Sequence, residues 1–125
     1  MWKQYSASLD WISKILKARF KSVRKDLIVH THLLNLMIHL EHHNYMVLRY
    51  YVDSARRYIK KAHAMQPYLD ILLRFFVKMS RMPLSAHHKA FRQLKGKLFP
   101  RDRESLIPEA LTEYIDIPLW ISERV

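Results

Sequence analysis

Apolar residues recur three and four positions apart along nearly the whole chain, and the alternation that would mark strands is absent. Tyr5, Leu9, Ile12 and Leu16 form one stripe with Trp11 and Ile15 beside it, which predicts a first helix from about residue 3 to 20. Lys17, Arg19, Lys21, Arg24 and Lys25 crowd its end, where cations suit the negative end of the helix dipole. Asp26 reads as the N-cap of a second helix carrying Leu27, Leu33, Leu34, Met37 and Ile38. In the following stretch, Glu41 to Tyr45, Asn44 is the residue expected in the left-handed region at the turn. A third helix then sets Leu48, Tyr51, Val52, Ala55, Ile59 and Ala62 inward. Its outward set is Arg49, Asp53, Arg56, Lys60 and Lys61.

Pro67 suits the first turn of a fourth helix, because its missing N–H would have no partner there anyway. Leu69, Leu72, Leu73 and Phe76 keep helical spacing while Ile71, Phe75 and Met79 widen the apolar face, so this helix is expected to be the most buried. Met82 and Pro83 end it, since the residue before proline avoids the α region. Ser85 is the expected cap of a fifth helix with Phe91, Leu94 and Leu98 on one face, and Pro100 closes it. A sixth helical segment runs from about Leu106 to Glu123, which Pro118 must kink or split. Short links make sequential helices antiparallel neighbours, giving an all-α fold of about six helices stacked as hairpins, or alternatively a closed bundle. The second helix starts near residue 27 and the fourth near 67, a spacing of the kind found in helical repeats.

Composition narrows what such a scaffold could do. With one glycine, Gly96, in 125 residues, the chain has no material for phosphate-cradling loops, dinucleotide fingerprints or nucleophile elbows. It has no cysteine, hence no disulfide or thiolate metal site. Residues 1–125 are read as one helical domain, and with neither a signal-like apolar stretch nor a run long enough to span a membrane, a soluble cytoplasmic protein is expected. The net charge of +11 is unevenly spread. Residues 1–101 hold 20 lysines and arginines against 5 carboxylates, a net of +15, whereas residues 102–125 hold 2 against 6, a net of −4. A basic body with an acidic end implies an acidic partner or a tail folded across the body.

Beyond periodicity, Asp26-Leu27, Leu33-Leu34-Asn35-Leu36-Met37-Ile38-His39-Leu40-Glu41, Asn44-Tyr45-Met46-Val47-Leu48 and Tyr58-Ile59-Lys60-Lys61 together resemble the C-terminal region of bacterial proteins with degenerate tetratricopeptide-like repeats. Those proteins show a leucine-rich helix ending in His-Tyr-Glu, a Gly-Asn-Tyr turn and a helix closing in basic residues. Their terminal Tyr-Phe-Asp-Ile and Trp-Leu-Glu-Ser strings are similar to Tyr114-Ile115-Asp116-Ile117 and Trp120-Ile121-Ser122-Glu123, and Tyr5, Leu9, Trp11, Ile12, Ile15 and Leu16 resemble the second helix of a repeat. The chain departs from the pattern at His43, where the family carries glycine, and at Pro118, where its last helix is continuous. The resemblance implies an α–α superhelical end piece of a longer repeat protein, with 102–125 as an acidic capping segment.

The chemistry-bearing residues are few. His39, His42 and His43 share a helical face near Glu41, with His30 and His32 earlier on the same helix, but a catalytic zinc site wants a third ligand and an ordered second shell, the string is not His-Glu-x-x-His and no acid is placed to be the general base. No metal site and no cofactor are therefore expected; these three histidines are the nearest the sequence comes to one. His42 and His43 instead suit a helix end. The serines fall in caps or on helix surfaces without a nucleophile motif, so no enzyme is expected. Arg49, Arg56, Arg57, Lys60 and Lys61, with Tyr50 and Tyr58 interleaved, make the candidate interaction face, and Lys89, Arg92, Lys95 and Lys97 a second basic strip. The leading expectation is a non-enzymatic helical-repeat scaffold whose partner is a protein or the preceding repeats of its own chain. In that reading Trp2, Tyr5 and Trp120 anchor the interface while Trp11 belongs to the core. Second comes a basic domain binding nucleic acid through phosphate contacts and base stacking. A histidine-based metal protein is third.

Overall fold

The computed structural model describes residues 8–12, 25–112 and 115–124, and among these every regular element is helical. The expected stripe of the first segment is described only at residues 8–12, which are helical, with Ile12 buried and Leu9 half-buried. Six further helices follow: α1 (Lys25–Glu41), α2 (Tyr45–Lys61), α3 (Pro67–Met79), α4 (His87–Leu98), α5 (Glu109–Thr112) and α6 (Ile117–Ser122). A 3-10 turn, Leu84–Ala86, precedes α4. No described helix is long and apolar enough to cross a membrane. The chain falls into two compact units, Met1–Ala64 and Met65–Val125.

In the first unit α1 pairs with α2, and the ring contacts His32 to Tyr58 and His39 to Tyr51 show that the two run antiparallel. The side of α2 that faces inward is narrow, with Leu48, Val52, Ala55 and Ile59 all fully buried. α1 differs. Eleven of its 17 residues are buried, against seven of 13 in α3, so the second helix and not the fourth is the most enclosed. The sequence pattern missed this because four of the enclosed positions, Thr31, His32, Asn35 and His39, are polar and read as a solvated face. Thr31 is accommodated by donating its hydroxyl to the carbonyl of Leu27 at 2.7 Å, a bond available only along a helix.

Both helices of this pair end in the same way. His43 at φ 58° and His63 at φ 54° take the left-handed conformation. His43 N–H donates to the Leu40 carbonyl and Asn44 N–H to that of His39; His63 and Ala64 repeat this with Lys60 and Ile59. These are Schellman closures, which satisfy carbonyls that the helix end leaves without intrahelical donors. The left-handed residue of the first turn is thus His43, not Asn44. Asn44, at φ −85°, is instead the N-cap residue of α2, and its side-chain amide donates to His39 Nδ1 at 3.3 Å. Lys25 Nζ also donates to the Ala62 carbonyl, tying the start of α1 to the end of α2.

The second unit is organised around four rings. Phe75 of α3 lies 5.0 Å from Phe91 of α4 and 6.3 Å from Trp120 of α6, both nearly edge-on. Phe91 meets Trp120 at 5.2 Å, and Phe76 completes the group at 6.0 Å from the indole. Edge-to-face pairing gives such clusters directional preference beyond area burial. Trp120 is therefore core and only 3% exposed, whereas Trp11, expected inside, is 55% exposed. Trp2 and Tyr5 lie outside the described residues.

Proline and polar side chains shape the remaining ends. Pro67 does occupy the first turn of α3, preceded by extended Gln66. Ser85 does not cap the next helix: it lies in the 3-10 turn, and α4 starts after Ala86 with no side-chain cap. The last segment is split into α5 and α6 rather than kinked, and Pro118 helps start the second, since its missing N–H falls in the first turn of α6, where Asp116 Oδ1 accepts from Leu119 N–H at 3.0 Å. The acidic end carries the two short helices α5 and α6, and along it Ile107, Leu111, Ile115, Ile117 and Ile121 are buried.

Glycine should matter in opposite senses at two places. His63→Gly relieves a left-handed side-chain conformation and is expected to stabilise by about 1 kcal/mol, whereas His63→Val should destabilise by at least that much. Gly96 lies in a helix with open space around an added Cβ, so Gly96→Ala should stabilise by about 0.5–1 kcal/mol. Urea unfolding of the variants checks both signs.

Candidate functional site

The candidate interaction face is carried by α2, whose helical period divides it into neighbouring stripes. Arg49, Arg56 and Lys60 recur along one flank, with Asp53 between them, and Tyr50, Arg57 and Lys61 recur along the back. The five basic residues are not equivalent. Arg49 faces Asp53 one turn away at 3.9 Å, an exposed pair of small energetic weight. Arg56 is half-buried. Arg57, Lys60 and Lys61 are exposed, so the accessible positive charge gathers at the C-terminal end of the helix.

Tyrosines divide in the same manner. Tyr58 is half-buried with its ring 5.4 Å from that of His32, and burial, helped by the Asp26 charge, holds its hydroxyl above the usual range. It is not a free stacking platform. Tyr50, in contrast, is 63% exposed and shares the N-terminal half of α2 with exposed Met46 and Val47. The outer surface of α2 is thus apolar and aromatic at one end and cationic at the other.

The histidines proposed as ligands are not brought together. Among the described residues no group of three histidines or carboxylates is placed to hold a metal ion. His39 is buried and stacked on Tyr51, with ring centres 4.8 Å apart and planes 15° from parallel. Its Nδ1 accepts from Asn44, which puts the proton of the neutral ring on Nε2. His42 and His43 are exposed at the turn, where His43 Nδ1 lies 2.8 Å from the Tyr45 hydroxyl. Elsewhere, His88 accepts from Arg92 Nε at Nε2, so its Nδ1 donates to the Arg124 carbonyl at 3.1 Å. Ser80, Thr112 and Ser122 donate to carbonyls of the preceding turn, and Ser105 Oγ accepts from Ile107 N–H.

Sequence spacing missed a second feature altogether. Between α3 and α4 lies a cleft of about 210 Å³ lined by Ile71, Phe75, Ala90 and Leu94 together with the polar residues Asp70, Arg74, Lys78, Gln93 and Lys97. Of these, only Lys97 stood in the basic strip read from the sequence. The usable signal was the width of the apolar arc in α3, which extends past the residues that contact the core.

The buried histidines give the first unit a pH dependence. Burial drives His32 from 6.5 to about 4, and lowers His30, opposed by Asp26, and His39, with a further push from His42. A histidine depressed on folding binds its proton more readily when unfolded, so its contribution is present above about pH 6.5 and is lost as pH falls toward 4. The loss from His32 alone should reach about 3 kcal/mol. Urea midpoints at pH 7, 5.5 and 4.5 should fall in that order, and His32→Leu should flatten the slope.

No family model, no curated protein and no solved structure matches this chain.

Proposed function

We propose that the chain is a non-enzymatic helical-repeat scaffold, tetratricopeptide-like in the stacking of its hairpins, that binds an acidic protein surface through the outer face of α2. The observation that carries this reading is the exposure of Met46, Val47 and Tyr50 beside Arg57, Lys60 and Lys61 on a single helix. Exposed apolar and aromatic groups rimmed by one sign of charge are the composition of an interface with a complementary partner. The structural employment of His32 and His39 as ring partners of tyrosines, and of several hydroxyls as donors to backbone, supports a scaffold role over a catalytic one. Trp11, exposed in the first helical segment, extends the stock of accessible aromatic surface.

Tyr50 favours a second reading, because an exposed aromatic ring on the stripe of Arg57 and Lys61 is also the material of a single-strand binding face.

The two readings differ in what the apolar residues contribute. A protein partner captured with the full-length gene product should lose about tenfold in affinity on Met46→Ala with Tyr50→Ala, and a similar amount on Arg57→Glu with Lys61→Glu. All four positions are exposed, so the fold should survive. Single-stranded DNA binding that falls steeply between 50 and 200 mM salt, drops with the charge reversal and ignores Met46→Ala would favour the nucleic-acid reading instead.

A further inference from the structure

The cleft between α3 and α4 joins an apolar floor to an edge whose positive charge is only partly matched. Ala90 and Leu94 are buried, Ile71 is half-buried, and Phe75 presents the outer side of the aromatic cluster. Arg74 is neutralised within α3 by Asp70 at 3.1 Å. Lys78 reaches across to α4 but finds a neutral acceptor, Gln93 Oε1, at 2.9 Å, so its charge is held over the cleft without being cancelled. Lys97 makes no ion pair among the described residues. Asp70 and Gln93 also line the cleft, but Asp70 is engaged by Arg74, so two cations stand at the edge of the slot with no carboxylate assigned to them among the described residues.

Size decides the class of occupant. Pockets that enclose cofactors and drug-sized molecules run from about 300 to 1,000 Å³, and this half-open cleft of about 210 Å³ lies below them. It has room for a large apolar side chain. A helix laid in a groove enters by such anchors, with its flanking residues left at the rim. We propose that the α3–α4 cleft is a docking site for an acidic helical segment of a partner protein: one leucine-sized anchor seats against Ile71, Phe75 and Leu94, while flanking carboxylates meet Lys78 and Lys97. The Gln93 contact holds Lys78 in place for this, and a carboxylate displaces or joins it with a gain in charge assistance. This site lies in the second unit, and it does not require the function of the α2 face.

The probe is a synthetic helix-forming peptide with a single leucine amid glutamates on one face, titrated into the whole chain. Binding is followed by the methyl resonances of Ile71 and Leu94 and by anisotropy of a labelled peptide. Saturable shifts at those methyls are expected. Affinity should fall about tenfold in Lys78→Glu with Lys97→Glu, two exposed positions whose helices should stay folded by circular dichroism. It should fall similarly when the peptide leucine becomes alanine, and remain within twofold in Arg57→Glu with Lys61→Glu. Absence of binding at millimolar peptide, full affinity in the doubly reversed variant, shifts confined to α2, or equal shifts of the cleft methyls by single-stranded DNA would each overturn the proposal. Loss of α2 binding with the cleft titration intact would bear on the scaffold reading alone.

Discussion

Every helix in this protein has to be stopped in a chain that holds one glycine, and the solutions to that constraint set the geometry of the rest. The left-handed residue that closes a helix is ordinarily glycine because it carries no Cβ to crowd the carbonyl. Here His43 and His63 take the position, each with both Schellman hydrogen bonds in place. The strain is offset by what the turns accomplish. The first aligns α2 against α1 so that two histidine and tyrosine pairs meet, and the second brings the Ala62 carbonyl to Lys25. In the second unit the ends are managed by proline, by Ser80 bonding back to Val77, and by Leu106 N–H reaching the Leu98 carbonyl.

With its ends fixed, α1 becomes an enclosed helix with polar residues inside. Burying His32, Asn35 and His39 is tolerable only where the ring or amide is neutral and partnered, and the neutral state of His39 follows from accepting a hydrogen bond at Nδ1. The same burial that lowers the histidines raises the tyrosine opposite. The packing of the pair and its acid sensitivity thus have one cause. His32 and His39 are occupied as ring partners of tyrosines between two helices, while the outer surface of α2 and the α3–α4 cleft present charge beside apolar surface.

Much of this was legible along the chain. The spans of α2 and α3 follow from apolar spacing and from Pro67, and Arg49, Arg57, Lys60 and Lys61 lie exposed as expected, whereas Arg56 is half-buried. Legibility failed where a residue's role depends on what lies across from it. Trp11 and Trp120 exchanged their expected places because each sits beside an apolar stripe, and only the position of Phe75 and Phe91 makes one of them core. Asn44 was the better left-handed residue by intrinsic preference, yet its amide is taken by a side chain five residues earlier. Pro118 reads as a helix breaker until Asp116 turns out to cap the helix that it begins.

The sequence by itself determined the helical class, the approximate limits of the longer helices and the gathering of cationic residues on solvent-facing positions, because these depend on periodicities of three to four residues and on local backbone chemistry. Tertiary structure decided which polar residues of α1 go inside, which tryptophan joins the core, and that Lys78 and Lys97, remote along the chain, flank one apolar cleft. Such outcomes are set by side chains on another helix, whose distance and orientation no local pattern encodes.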